Sequence, residues 1–377
     1  GGLMAGGEYE VWFTTDEGVR LLPLQPTYFN AARQVNRVGY FTMGLPITFD
    51  ISMLKRDYMI QVWRQPSGGR LGLWRVYFLR GWRMEHVGSQ ERITIWGPDS
   101  NDLLRRRIVA YYAGETESTF TSTEADDLMK DLVTDALTDS NPASSAGVRT
   151  FDGDLTVAGD LTDGPQLDKG CAWKPLLTDA GGGVLPALAD ASKIAGTAVF
   201  FDVVADSVSP TSITFQFRTY TTQPGQDVTS KVVFSQEDKN LLDPYLEYDY
   251  GDELTYVYAG GQGEEDEREI QQVYDADRYG ASKWNRCEGF ADARDQEAAN
   301  AVREAGRAKL NEHRGIVRAG GVPVDTAGTR FGLHWNHGDL VRMRYRNQEF
   351  DAIVRATVLR MNQQGSETID ARVDYES

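Results

Sequence analysis

The chain has 377 residues, 41% of them hydrophobic and 11% aromatic, with a formal charge of −17. That length fits two or three domains, and that apolar content excludes a disordered chain. The negative field repels nucleic acid and anionic membranes over about 8–10 Å at moderate salt, which argues against either as a tightly held partner.

Taken in chain order, the opening Gly1-Gly2-Leu3-Met4-Ala5-Gly6-Gly7 has no basic segment and no apolar run, so it does not read as a signal peptide. The two cysteines, Cys171 and Cys287, are far apart and form no CxxC pair, which supports neither a disulfide framework nor a zinc ribbon and suits a reducing compartment. Residues 8–97 read as β structure. Glu8–Phe13, Val19–Leu24, Asp57–Gln65 and Leu73–Glu85 are rich in aromatic and branched residues, Pro66–Gly69 has the composition of a hairpin turn, and Arg92–Gly97 alternates polar and apolar. Many short strands with turn signals predict a barrel or a sandwich.

The pattern changes at Gly97. Pro98–Asp102 offers capping side chains, with Asp99 or Ser100 expected to accept first-turn amides, and Leu103–Ile108 follows at helical spacing. A second helix is predicted over Thr123–Leu137, capped by Thr123, with Leu128, Met129, Leu132, Val133 and Leu137 as its apolar stripe. Residues 139–182, rich in Gly, Asp, Ser, Thr and Pro, read as a long, mostly irregular excursion. A helix over Val184–Ala195 and strands at Thr197–Val204 and Thr211–Tyr220 then make an α+β unit, and Val232–Phe234 and Leu254–Tyr258 continue the β character. Residues 236–277 are acidic. A long helix over Asp292–Arg314 and strands at Gly338–Tyr345, Glu349–Met361 and Glu367–Tyr375 close the chain. The domain reading is therefore a β domain over 1–113, a helical and α+β middle over 114–235, and a β domain with the long helix over 236–377.

Candidate chemistry is sparse. No GxSxG elbow, GxxxxGK[ST] phosphate loop, HExxH or GxGxxG after a strand occurs, and there are four histidines. His334, His337 and Asp339 have the residue types of a divalent-metal cluster, but Asn-His-Gly-Asp equally reads as a turn into a strand. Asp152, Asp154, Asp160 and Asp163 offer oxygens for calcium without the ordered spacing of an EF-hand, so a polar loop is the simpler reading. Glu264–Glu267 contains carboxylates of the kind glycoside hydrolysis needs, yet consecutive acids in a Gly-rich turn read as a solvated face. Arg105, Arg106 and Arg107 cannot share one helix face, which favours a helix-end charge cluster or an intersubunit salt bridge over nucleic-acid binding. No catalytic residue and no cofactor is assigned, and the chain reads as a non-enzyme.

Four stretches, in order along the chain, resemble the siphophage tail-hub family, also called tail-associated or baseplate-hub proteins. Thr27–Pro46 (TYFNAARQVNRVGYFTMGLP) is similar to the family's opening strand pair. Ile93–Val109 (ITIWGPDSNDLLRRRIV) matches a strand, a Gly-containing turn and an LLxRRxI helix. Gln226–Leu242 (QDVTSKVVFSQEDKNLL), with Tyr256–Gly263 (YVYAGGQG) and Arg268, resembles a third segment. The fourth is the Asp292–Arg314 helix, then Trp335–Asp339 and three strands. The stretch 139–182 has no counterpart.

The resemblance implies a virion structural protein of the tail tip, made in the host cytoplasm. It implies a homotrimeric ring in which each copy carries two β-barrels related to the tail-tube subunit, with inserted α+β domains. Three copies would then present six barrels to a sixfold tube. The implied partners are further copies, distal tail or tube proteins, and tip, fibre or tape-measure proteins, with transient passage of DNA and no membrane span. The competing readings are a receptor- or carbohydrate-binding β-protein at the same tip and a cell-wall-degrading tail enzyme.

Overall fold

The computed structural model describes residues 7–88, 90–109, 118–120, 123–140, 148–151, 153–160, 164–165, 171–173, 183–194, 199–263, 267–294, 296–362 and 364–374. The first region holds β1 (Glu8–Thr14), β2 (Arg20–Leu24), β3 (Tyr28–Gln34), β4 (Tyr40–Leu45), β5 (Met59–Gln65), β6 (Gly72–Phe78), β7 (Gly81–Val87) and β8 (Gln90–Pro98), then a short α1 (Asp102–Arg105). The β-rich run Leu73–Glu85 holds two strands, because the chain turns at Leu79-Arg80 between β6 and β7. Gly97 fits the close approach that this fold requires, since a Cβ there would sit 1.8 Å from the Phe78 carbonyl oxygen.

The middle region holds β9 (Ser118–Phe120), α2 (Ala125–Val133) running into a π-helical turn over Thr134–Thr138, β10 (Leu155–Val157), β11 (Cys171–Trp173), α3 (Val184–Ile194), β12 (Phe200–Val208) and β13 (Ile213–Tyr220). The last region holds β14 (Val233–Ser235), β15 (Leu241–Asp249), β16 (Tyr256–Gly260), β17 (Ile270–Tyr274), α4 (Ala276–Gly280), β18 (Glu288–Asp292), α5 (Ala299–Glu312), β19 (Ile316–Pro323), β20 (Leu340–Tyr345), β21 (Gln348–Met361) and β22 (Glu367–Asp374).

Several expected boundaries move. The long helix starts at Ala299 rather than Asp292, because Glu288–Asp292 is a strand paired in parallel with β16. The N-cap of α2 is Glu124, not Thr123, and α1 stops at Arg105, short of Ile108. The excursion 139–182 is not wholly irregular: β10 pairs with β13 and β11 with β9.

Two sheets enclose the main core. One has the order β2-β1-β5-β6 and the other β14-β20-β21-β3-β4-β8-β7, with β22 on the far side of β21. The second sheet joins the two ends of the chain, since β21 pairs with β3 from Ala356↔Gln34 to Met361↔Phe29. Phe13, Phe29, Phe41, Ile60 and Ile95 from the first region pack with Phe234, Trp335, Met343 and Leu359 from the last. Burial of such side chains stabilises by about 1.5–3 kcal/mol each, so this shared core is what holds the two β regions together.

A buried latch closes the same seam. The Glu367 carboxylate of β22 accepts from Arg64 Nε at 2.7 Å, from Arg64 Nη2 at 3.0 Å, from the Gly7 amide at 2.7 Å and from the Tyr9 hydroxyl. Burial alone would raise the Glu367 carboxyl, but Arg64 and Tyr9 outweigh it and hold the group below its ordinary range.

The middle region makes a second core of Leu128, Leu132, Val133, Leu188, Phe201 and Phe217, which also takes in Met59, Val76 and Phe78 from the outer face of β5 and β6. In the last region β15 and β19 pair as a two-stranded stem, and the segment between them folds as a three-stranded sheet, β17-β16-β18, covered on one face by α5.

Candidate assembly interface

The side chains singled out for chemistry are engaged in local structure. His334 Nδ1 accepts from the Arg330 amide at 2.9 Å, and His337 Nδ1 lies 3.2 Å from Thr357 Oγ1. His337 is held neutral: burial, then the nearby Arg33 and Arg75 guanidinium groups, push its pKa well below 6.5. Asp339 accepts from the Gln226 amide through Oδ1 and from the Asn336 amide through Oδ2, both at 2.7 Å, which is turn chemistry. Asp152, Asp163, Glu264, Glu265 and Asp266 lie outside the described residues.

Among the described residues, Asp126, Asp127 and Asp160 bring three carboxylate oxygens within 4.8 Å of one another. The cation among them is Lys130, whose Nζ lies 3.3, 3.3 and 2.8 Å from the three. The three arginines point three ways. Arg105 pairs with Asp102 and reaches Tyr40, Arg106 pairs with Asp102 and Asp57, and Arg107 lies over the Phe151 ring at 4.4 Å. The expected side-chain cap is absent: the N-cap of α1 is Asn101, the first-turn amides of Asp102 and Leu103 bond the backbone carbonyls of Asp99 and Ser100, and the Asp99 carboxylate accepts from the Asn101 amide at 3.2 Å.

Asp99 also belongs to a buried polar seam between the first and middle regions. Arg75 on β6 donates to Asp99 at 2.9 Å through Nε and to Asp202 on β12 at 2.9 and 2.7 Å. Beside this bridge, side chains act as a strand partner for the edge of β12. Asn36 Oδ1 accepts from the Phe201 amide, Asn101 Oδ1 accepts from the Val203 amide, and Ser100 Oγ donates to the Val203 carbonyl. Edge amides that would otherwise be orphaned are thereby satisfied without a further strand. Asn36 has φ 57°, a left-handed conformation that asparagine tolerates.

Two surfaces stand out as unfinished. The first is β7, the end strand of the long sheet, with no further strand on its outer edge among the described residues. Trp82 and Met84 sit opposite Ile95 and Ile93 in the β7–β8 register, so all four share the core-facing side. Yet Ile95 and Ile93 are buried while Trp82 and Met84 are 42% and 43% exposed. The sheet therefore overhangs its own core.

The second is the outer face of the β17-β16-β18 sheet. Period-2 alternation turns Val257, Ala259, Val273 and Ala291 toward α5. The opposite face carries, in cross-strand rows, Tyr274–Tyr256–Glu288, Gln272–Tyr258–Phe290 and Ile270–Gly260–Asp292. Tyr274 and Phe290 are half exposed, and Trp284, four residues before β18, is 80% exposed. Tyr256 stacks on Tyr274 with ring centroids 5.5 Å apart and carries Arg286 4.4 Å over its ring. Arg268 crosses the gap that Gly260 leaves, bonds Asp292 at 2.7 Å and lies over Phe290 at 5.2 Å.

A family model, that of the Siphovirus ReqiPepy6 Gp37-like proteins, matches residues 79–373. The chain belongs to this siphovirus Gp37-like family. Its fold is that of phage tail proteins. The tail protein from Neisseria meningitidis MC58 superposes with a TM-score of 0.56 at 10% identity, over 98% of this chain and 97% of that one. The prophage MuSo2 43 kDa tail protein from Shewanella oneidensis gives 0.55 at 11% identity, over 97% and 98%. Prophage tail protein gp18 from Listeria monocytogenes EGD-e gives 0.50 at 10% identity, over 97% and 94%. No curated protein matches by sequence. For this Gp37-like chain, the long-range seam residues were not readable in advance. Of the aromatic face, only the β character of Leu254–Tyr258 was expected, and β16 is a strand over Tyr256–Gly260.

Proposed function

We propose that this Gp37-like protein is a non-enzymatic structural subunit of the siphovirus tail tip. In this reading three copies assemble as a hub ring that adapts a sixfold tail tube to threefold tip components and closes or passes the DNA channel. The two β regions joined through β3 and β21 would act as two tube-like units per copy. The observation that carries this reading is the overhang of β7. An open strand edge that exposes core-facing Trp82 and Met84 is an aggregation hazard in a lone subunit and a ready template for a neighbouring copy. The exposed acids Asp243, Glu247, Asp249 and Asp252 would line the lumen, where like charge keeps passing DNA from adhering.

The test is the mass of the purified full chain by light scattering across concentration. A trimer that Trp82→Ser and Met84→Ser together convert to folded monomer is the expected result. A monomer unaffected by either change at every concentration would overturn the reading. A receptor-binding role at the tip would draw on the aromatic face, where Trp284 is 80% exposed although Tyr256 and Phe290 have ring faces covered by Arg286, Tyr274 and Arg268.

A further inference from the structure

The middle region carries a cleft of about 610 Å³ between the π-helical turn Thr134–Thr138 and β10. Small-ligand sites occupy about 300–1,000 Å³, so the cleft is of ligand size. Thr134, Ser140, Thr150 and Thr156 line it, and no charged side chain does so among the described residues. Leu155 and Val157 supply its apolar part, and both pack on the second core behind it. Most of the lining falls within 139–182, outside the stretches that carry the tail-hub resemblance. A π-helical turn is uncommon and recurs at functional sites.

The lining holds hydrogen-bonding groups that the fold leaves unused. The Thr138 hydroxyl is spent on the Thr134 carbonyl, at 2.9 Å. The hydroxyls of Thr134, Ser140, Thr150 and Thr156 bond no group among the described residues. The edge of β10 adds backbone groups. This strand pairs with β13 alone, in parallel. The Phe215 amide bonds the Asp154 carbonyl and the Ala158 amide bonds the Phe217 carbonyl, so Asp154, Thr156 and Ala158 turn their backbone groups toward β13. Leu155 and Val157 turn theirs to the opposite edge, which no described strand covers. A hydroxyl donates and accepts at once, and an open strand edge alternates donors with acceptors. The complement of such a lining is an uncharged ligand dense in hydroxyls. Exposed Asp131 and Asp135, on α2 and the turn beside the cleft, oppose an anionic one. β10 is three residues long, too short a ladder to hold an added peptide strand. We infer that this cleft binds a neutral saccharide. The inference goes beyond the ring reading and does not depend on it.

The experiment screens the purified full chain on an array of neutral and acidic glycans, beside two variants. One is Thr150→Val with Thr156→Val, which keeps side-chain shape and removes two hydroxyls that hold no part of the fold. The other is Trp284→Ala, on the separate aromatic face. Circular dichroism checks that both fold. The wild type is expected to retain a subset of the neutral glycans, equally at about 0.05 and about 0.5 M salt. The double valine variant is expected to bind them about tenfold more weakly, and Trp284→Ala as the wild type does. Retention of no neutral glycan would overturn the inference, as would a double valine variant that binds like the wild type. Loss of binding in Trp284→Ala alone would place the sugar on the aromatic face and overturn it too. Salt-sensitive retention confined to acidic glycans would mean a charged ligand and would overturn it as well. A trimer that binds no glycan would overturn this inference and leave the ring reading standing, and a monomer that binds through the two threonines would do the reverse.

Discussion

Replacing Arg75 with Met tests how the middle region is held to the β core. The guanidinium is nearly buried and bridges Asp99, which has no exposure, to Asp202. Methionine matches the stem of the side chain but leaves a fully buried carboxylate without its cation. Breaking a buried pair from one side costs about 3–5 kcal/mol, against a stability of about 5–15 kcal/mol for a typical protein. Arg33, 3.5 Å from Asp202, compensates in part on that side, which places the expectation at the lower end, about 3 kcal/mol. Removing the stranded charges as well, by adding Asp99→Asn and Asp202→Asn, is expected to recover about half of the loss or more. Hydrogen exchange is the assay suited to a chain of several cores. In Arg75→Met the amides of Phe201 and Val203, held by Asn36 and Asn101, are expected to exchange faster before those of β3 and β21 do. A cost under about 1 kcal/mol, or a triple variant no better than the single, would refute the argument that Arg75 serves mainly to neutralise buried carboxylates.

The remaining predictions concern pH, the latch and the overhang. Burial pushes the Asp99 carboxyl up to about 6 against Arg75, so the folded chain binds this proton more tightly than the unfolded one, whose carboxyl titrates near 4. The stability this group contributes is present below about pH 4 and is lost as pH rises to about 6, a slope that Asp99→Asn should remove in paired denaturant titrations. Glu367 has the opposite sign. Its carboxyl is held low by Arg64, so its contribution is present at neutral pH and is lost as pH falls through the folded value. Glu367→Gln is therefore expected to cost about 3 kcal/mol at pH 7 and much less in acid, read by the same titrations. Trp82→Ser and Met84→Ser are expected to cost the lone subunit only about 1–2 kcal/mol each, because both are already two-fifths exposed, while changing its association strongly in light scattering.

Much of the fold was legible because it rests on local pattern. The aromatic and branched runs of β1, β5, β6 and β8, the Pro66–Gly69 turn and the stripe of α2 all follow from side-chain period and turn chemistry. The reading failed where tertiary contact overrides propensity. Glu288-Gly289-Phe290-Ala291-Asp292 has poor strand composition, and it is a strand because β16 offers it a parallel edge. The seam was hidden for a different reason: Arg75, Asp99 and Asp202 span 127 residues of sequence, and nothing local marks them as one cluster. The Tyr9–Arg64–Glu367 latch spans still more. The exposed aromatics were visible as composition, but which face a strand leaves open is decided by what packs on the other, here α5.

The most direct measurement is a reconstruction of the assembled tail tip without imposed symmetry. Three copies in a closed ring beneath the tube, with β7 of each against a neighbouring chain, is the predicted result. Copies found singly or in sixes, or set out on the fibres with Trp82 and Met84 facing solvent, would contradict it.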